Sequence, residues 1–152
     1  FRLDRFTAEI GAVGFVQENQ SRSALKGTIR GLHFQREPHA QGKLVKVTKG
    51  AVLDVAVDIR VGSPWFGKFE AVELAADSSR QLWVPPGFLH GFCTLTDNVE
   101  LAYKVTAYYS PDHDAGVRWN DPDIGIPWPV DANEAVLSDR DRKAPMLREL
   151  FP

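Results

Sequence analysis

The stretch from Lys43 to Arg60, KLVKVTKGAVLDVAVDIR, constrains the fold more than any other part of this chain. Leu53, Val55, Val57 and Ile59 alternate with Asp54, Ala56, Asp58 and Arg60. A period of two suits a half-buried strand and not a helix, so one face should be core and the other should carry charge. A preceding strand, KLVKV, is joined to it at Lys49-Gly50. Further strands are expected at Phe69 to Leu74, Gln81 to Val84, Gly91 to Leu95 and Glu100 to Ala107, separated by GSP, AADSS, PPG and TDN turn signals. Several short strands at this spacing imply an all-β sandwich or barrel.

The flanking segments read differently. Phe1 to Gly11 places Leu3, Phe6 and Ile10 on one helical face and stops at glycine, as a short amphipathic helix would. Phe15 to Ser23, FVQENQSRS, is a polar run that on composition alone reads as a solvated loop. After Tyr109 the segment SPDHDAGVRWNDPDIGIPWPVD has no sustained period and should form a long ordered flap anchored by Trp119 and Trp128. Ser138 is placed to cap a short turn of helix, SDRDRKA, ended by Pro145.

Composition narrows the class of function. A chain of 152 residues that is 43% hydrophobic and 25% charged can bury one core, so a single domain over residues 1–152 is expected. A formal net charge of -2 without a run of like charges gives no reason to expect nucleic acid or a membrane as partner. Cys93 is the only cysteine, which rules out an internal disulfide, and no apolar stretch approaches a membrane span. With no basic leader ahead of an apolar run, a cytoplasmic setting is expected. The chain opens on Phe1 within sequence that looks folded, so a further N-terminal segment is expected.

The chemistry concentrates in Gly27 to Lys43, GTIRGLHFQREPHAQGK. A positioned imidazole such as His33 can take a proton near neutrality, and a lysine can stabilise the anion left behind, so the pairing suggests carbon-acid chemistry. Each candidate also has an ordinary structural reading. His33 could be a satisfied core histidine, and His90, just after the PPG turn, a structural donor. Tyr103 and Tyr109 share parity on one predicted strand, where tyrosines are usually packing, although one phenol could donate a proton while the other offers a flat face to a base. A barrel metal site is the third possibility, but His33 is flanked at two residues by Gly31 and Gln35, and His39 and His113 fall in predicted loops, so the ligand count falls short.

RGLHFQ, AQGKLVKV, DVAVDIRVGSPWFGKF, RQLWVPPGFLHGF, AYKVTAYY and WNDPDIGIPWP, in this order, resemble the dTDP-4-dehydrorhamnose 3,5-epimerase family from about Phe15 to Asp141. The resemblance implies a cupin-type jelly-roll barrel, a homodimer, and no cofactor or metal. It also implies a dTDP-sugar substrate, dTDP-4-dehydro-6-deoxy-D-glucose, inverted at C3 and C5, the two carbons beside the C4 ketone.

By the same resemblance His33 matches the general base, Asp141 its carboxylate partner, Lys43 the cation near the C4 oxygen, and Tyr103 the proton donor on the opposite face. Gln17, Glu18 and Asn19 match a thymidine-contacting stretch, Arg30 and Arg140 positions that contact phosphate or sugar, Tyr109 the ring that stacks on thymine, and His90 a substrate contact. Asp54 is a candidate partner for a histidine. Asp114 stands where the family more often has Glu, and Arg140 where it often has Lys. Family members usually begin with another strand that completes the nucleotide pocket. The alternatives are a mono-epimerase or ketoisomerase of a related dTDP-4-keto-sugar, a non-catalytic sugar-nucleotide binding module, and a metal-dependent cupin.

Overall fold

A computed structural model describes residues 1–152. Helix α1 (Leu3–Ile10) is followed by nine strands, β1 (Gln17–Ser23), β2 (Ile29–Gln35), β3 (Lys43–Lys49), β4 (Ala51–Asp58), β5 (Phe69–Ala75), β6 (Leu82–Val84), β7 (Phe88–Thr94), β8 (Val99–Val105) and β9 (Asp114–Gly116). Short helices α2 (Asp139–Arg142) and α3 (Leu147–Leu150) close the chain. The strands form two antiparallel sheets, β1-β8-β3-β6 and β5-β4-β7-β2-β9, stacked as a jelly roll of the cupin type. The two strands joined at Gly50 do not pair: β3 lies in one sheet and β4 in the other, so the turn crosses between layers.

Alternation along β3 and β8 builds the space between the sheets. Val47 and Val45 on β3, and Val99 and Leu101 on β8, join Val52, Leu74 and Phe92 in an inner core. Each such side chain removed from water contributes about 2 kcal/mol. The same inward rows then turn polar, to Lys43 on β3 and Tyr103 on β8, whose neighbours are in register across the ladder. The barrel is therefore filled with aliphatic side chains at one end and opens as a polar cavity at the other.

The charged-face expectation for β4 is corrected. Asp54 and Asp58 are 0% and 2% exposed. Val55 and Val57 face outward into a second core with Leu32, Leu89, Val117, Ile124 and Leu147, because the chain after Tyr109 folds back over that sheet. Both faces of β4 are buried, and each of its carboxylates meets a specific partner instead of bulk water. Asp58 accepts from Arg60 and from Ser63 Oγ.

Phe15 to Ser23 is also corrected, from loop to strand. Its residues from Gln17 pair with β8 throughout, from Gln17 opposite Val105 to Ser23 opposite Val99. It lacks apolar alternation because β1 is an edge strand whose inward side faces the polar end of the barrel and whose other side faces solvent. The flap after Tyr109 is ordered by β9 pairing with β2 and by Trp128 Nε1 donating to the Trp119 carbonyl at 2.7 Å. Helix α1 ends at Gly11 as expected, buries no residue fully, and rests Phe6 against Trp83. No helix is long and apolar enough to cross a membrane.

Candidate active site

Strand parity would put Arg30 and His33, three residues apart, on opposite faces of β2. A bulge between them shifts the register and turns both toward the cavity. Gly31 permits it: φ is +124°, and a Cβ there would sit 2.7 Å from Gly91 Cα and 2.8 Å from the His90 carbonyl oxygen. Neither the backbone angle nor the space suits an L side chain.

His33 Nε2 lies 2.5 Å from Asp141 Oδ1. Asp141 is 3% exposed on α2, where Ser138 Oγ accepts the Asp141 N–H at 3.1 Å and the Gly31 N–H donates to Asp141 Oδ2 at 3.3 Å. Burial pushes the Asp141 carboxyl up, but the hydrogen bond and charge of His33, with the Gly31 and Ser138 bonds, outweigh it and leave the group below its ordinary value. An ionised carboxylate there fixes the imidazole's orientation.

His33, Lys43 and Tyr103 line two adjoining cavities of about 390 and 350 Å³. Burial lowers the Lys43 ammonium to about 8, partly opposed by the charges of Asp114 and Asp54. Tyr103 moves the other way: burial raises its phenol, against smaller lowering effects from Asn19 and Arg30. Near neutrality the cavity thus offers a protonated phenol and a weakly acidic cation beside an imidazole held by a carboxylate.

The cavity wall has a second histidine-carboxylate pair. His90 is the ladder partner of His33 on β7, and its Nε2 lies 2.8 Å from Asp54 Oδ1. Asp54 Oδ2 has no hydrogen-bond partner.

At the other end Gln17, Asn19, Tyr109, Asp114 and Arg140 line the same cavity as His33. Asp114 accepts from Arg140 Nη2 at 2.8 Å and from Tyr109 Oη at 3.0 Å, which raises the Tyr109 phenol. Asp114 and Arg140, the two positions expected to differ from the family pattern, thus pair with each other. Tyr109 is not on the strand with Tyr103, because β8 ends at Val105 and the chain turns; the turn still delivers its ring to the cavity. Glu18 is not brought in. It is exposed on the outer side of β1, 3.3 Å from Lys104 Nζ. Gln20, Phe34, Gln35 and Gln41, which the sequence does not single out, also line the cavity. Gln35 shares strand parity with His33 on β2, which is the signal the sequence carries for it, whereas Gln41 precedes β3 and has no such signal. His39 and His113 pack against each other at 4.3 Å between ring centres, tilted by 47°, outside this wall. Nowhere do three His, Cys, Asp or Glu side chains converge as metal ligands.

A family model described as dTDP-4-dehydrorhamnose 3,5-epimerase matches residues 1–149. The dTDP-4-dehydrorhamnose 3,5-epimerase of Sinorhizobium fredii is 55% identical over 150 residues, covering 99% of this chain and 76% of the relative. The crystal structure of the Bacillus anthracis enzyme of the same name, with TDP and PPi bound, superposes with a TM-score of 0.93 at 50% identity, covering 97% of this chain and 83% of that one. The dTDP-6-deoxy-D-glucose-3,5-epimerase of Legionella pneumophila, in complex with dTDP-4-keto-L-rhamnose, gives 0.92 at 44%, covering 97% and 78%. Sequence, sheet topology and the cavity's wall converge on one assignment, and the chain belongs to the dTDP-4-dehydrorhamnose 3,5-epimerase family.

Proposed function

We propose that this protein is an isomerase that inverts C3 and C5 of dTDP-4-dehydro-6-deoxy-D-glucose to give dTDP-4-dehydro-β-L-rhamnose, a step of dTDP-L-rhamnose biosynthesis. The observation that carries the reading is that His33, backed by Asp141, shares one cavity with Lys43 and Tyr103. The C4 ketone acidifies the C–H bonds at C3 and C5. His33 takes the proton from one of them, and the electron pair moves to the ketone oxygen as an enolate. The Lys43 cation stabilises that oxygen as charge develops. Tyr103 returns a proton to the same carbon from the opposite face, which completes the inversion. The phenolate then recovers a proton from solvent, and the imidazolium loses one.

Gln17, Asn19 and Tyr109 are assigned to the thymidine, and Arg30, Arg140 and His90 to the diphosphate and sugar. Arginine's fork suits the diphosphate. Glu18 would reach the nucleotide only through rearrangement of its side chain, since it faces outward here. The steps need only proton transfers and a fixed cation, so no cofactor is assigned. A homodimer in the cytoplasm completes the proposal, with no nucleic-acid or membrane partner.

NMR of the substrate incubated with the protein in D₂O tests this directly. Deuterium at both C3 and C5, with inversion, is the expected result. Deuterium at one carbon alone makes the protein a mono-epimerase, and binding of dTDP without exchange makes it a binding module; either overturns the double inversion.

A further inference from the structure

The segment from Thr106 to Ser110, which carries Tyr109, lies between β8 and β9 and has no strand partner for its tyrosine. Side-chain amides hold it instead. Gln35, at the end of β2 and 5% exposed, donates from Nε2 to the His39 carbonyl at 2.7 Å and to the Tyr108 carbonyl at 3.2 Å. Its Oε1 accepts the Ser110 N–H at 2.8 Å. Two carbonyls on one side and an N–H on the other fix which end of the amide is nitrogen. Gln41 donates to the Ala107 carbonyl at 2.7 Å, and Gln17 accepts the Tyr109 N–H at 3.1 Å. Of the three, only Gln35 is fully buried and grips the backbone on both sides of Tyr109.

We propose that Gln35 is a positioning residue for nucleotide recognition: its carboxamide ties the Tyr109 ring to the strand that carries His33, and so sets the spacing between the thymine platform and the reacting sugar. This rests on the reading of Tyr109 as that platform. Gln35 lies two residues from His33, so one rigid strand bears on both ends of a long substrate. An exposed aromatic on an unpaired loop would otherwise sample many positions, and ordering it on binding would weaken affinity.

The test is dTDP affinity by calorimetry with steady-state kinetics in Gln35→Met, Tyr109→Ala and the double variant. Loss of a buried amide that serves three backbone groups should weaken dTDP binding about tenfold. KM should rise in step, and kcat should move far less. The double variant should bind dTDP no worse than Tyr109→Ala alone, because Gln35 acts through that ring. Additive losses, or wild-type affinity in folded Gln35→Met beside weakened Tyr109→Ala, overturn the proposal. Wild-type affinity in Tyr109→Ala overturns the platform reading itself. Should Gln35→Met not fold, Gln35→Glu keeps the acceptor for Ser110 and sets a carboxylate against two carbonyls. Its dTDP affinity should then fall between pH 5 and pH 8 relative to wild type, and a parallel profile overturns the proposal.

Discussion

Replacing Lys43 by methionine should make the protein more stable and nearly inactive. Methionine keeps an unbranched chain of similar length and removes the charge. Burial lowers the ammonium from 10.5 to about 8, a difference worth up to about 3 kcal/mol, with partial exposure of the side chain making this an upper bound. Below pH 8 the lysine is protonated in both folded and unfolded chains, and the folded state bears the full penalty. Between pH 8 and 10.5 the folded protein has released the proton while the unfolded chain still binds it, so wild-type stability should rise with pH through that window. Lys43→Met should lack this rise and sit about 1–3 kcal/mol above wild type at pH 7. Burial raises the Cys93 thiol to about 11 and also raises the Tyr103 phenol, which makes stability fall with pH from about 9 upward, but both groups are common to the two proteins. The difference between urea titrations at pH 7, 8, 9 and 10 therefore isolates Lys43. In the proposed mechanism, loss of the cation should also lower kcat by roughly a hundredfold to a thousandfold. Wild-type kcat should fall as pH rises through about 8. Parallel stability curves, or a variant less stable than wild type at pH 7, would refute the electrostatic argument, and undiminished turnover would refute the assigned role.

Other outcomes follow from the same geometry. His33→Ala should reduce solvent exchange at both carbons by about a hundredfold or more, whereas Tyr103→Phe should retain proton removal and lose inversion, both read by NMR in D₂O. Equal turnover in both variants contradicts the assignment of roles. Gly31→Ala should destabilise by at least about 2 kcal/mol in chemical denaturation, since its Cβ would meet the backbone of Gly91 and His90 at a positive φ. Wild-type stability would mean that the bulge is not tightly packed. Asp58 is held far below the usual carboxylate range, first by Arg60 and then by Ser63 against the effect of burial. Asp58→Asn should therefore cost about 1–2 kcal/mol at pH 7, allowing for the exposure of Arg60. A depressed carboxyl gives stability above its unfolded value that fades as pH falls below about 4, so the gap should narrow there.

The sequence by itself determined the strands whose pattern is local. The two-residue alternation of Val45, Val47, Leu53, Val55 and Val57, with turn residues between runs, is enough to call for an all-β domain. Ser138 as helix cap and Gly11 as helix stop are equally local, because each depends on a few neighbouring backbone groups. The motif order identified the family and pointed to His33, Lys43, Tyr103 and Asp141.

What only the tertiary structure decided depends on which strand lies beside which. β1 is polar because the space it faces is a cavity, and that space exists only once two sheets have stacked. Asp54 and Asp58 sit inside because their side of β4, shared with Val52 and Ala56, faces the other sheet, while the distant chain after Tyr109 covers the opposite side, where Val55 and Val57 lie. Arg30 and His33 share a side only through a bulge that Gly91 leaves room for, and Asp141 reaches His33 across 108 residues of chain. Periodicity reports that a residue has a face. Which environment that face meets is a property of non-local pairing, and no window of sequence contains it.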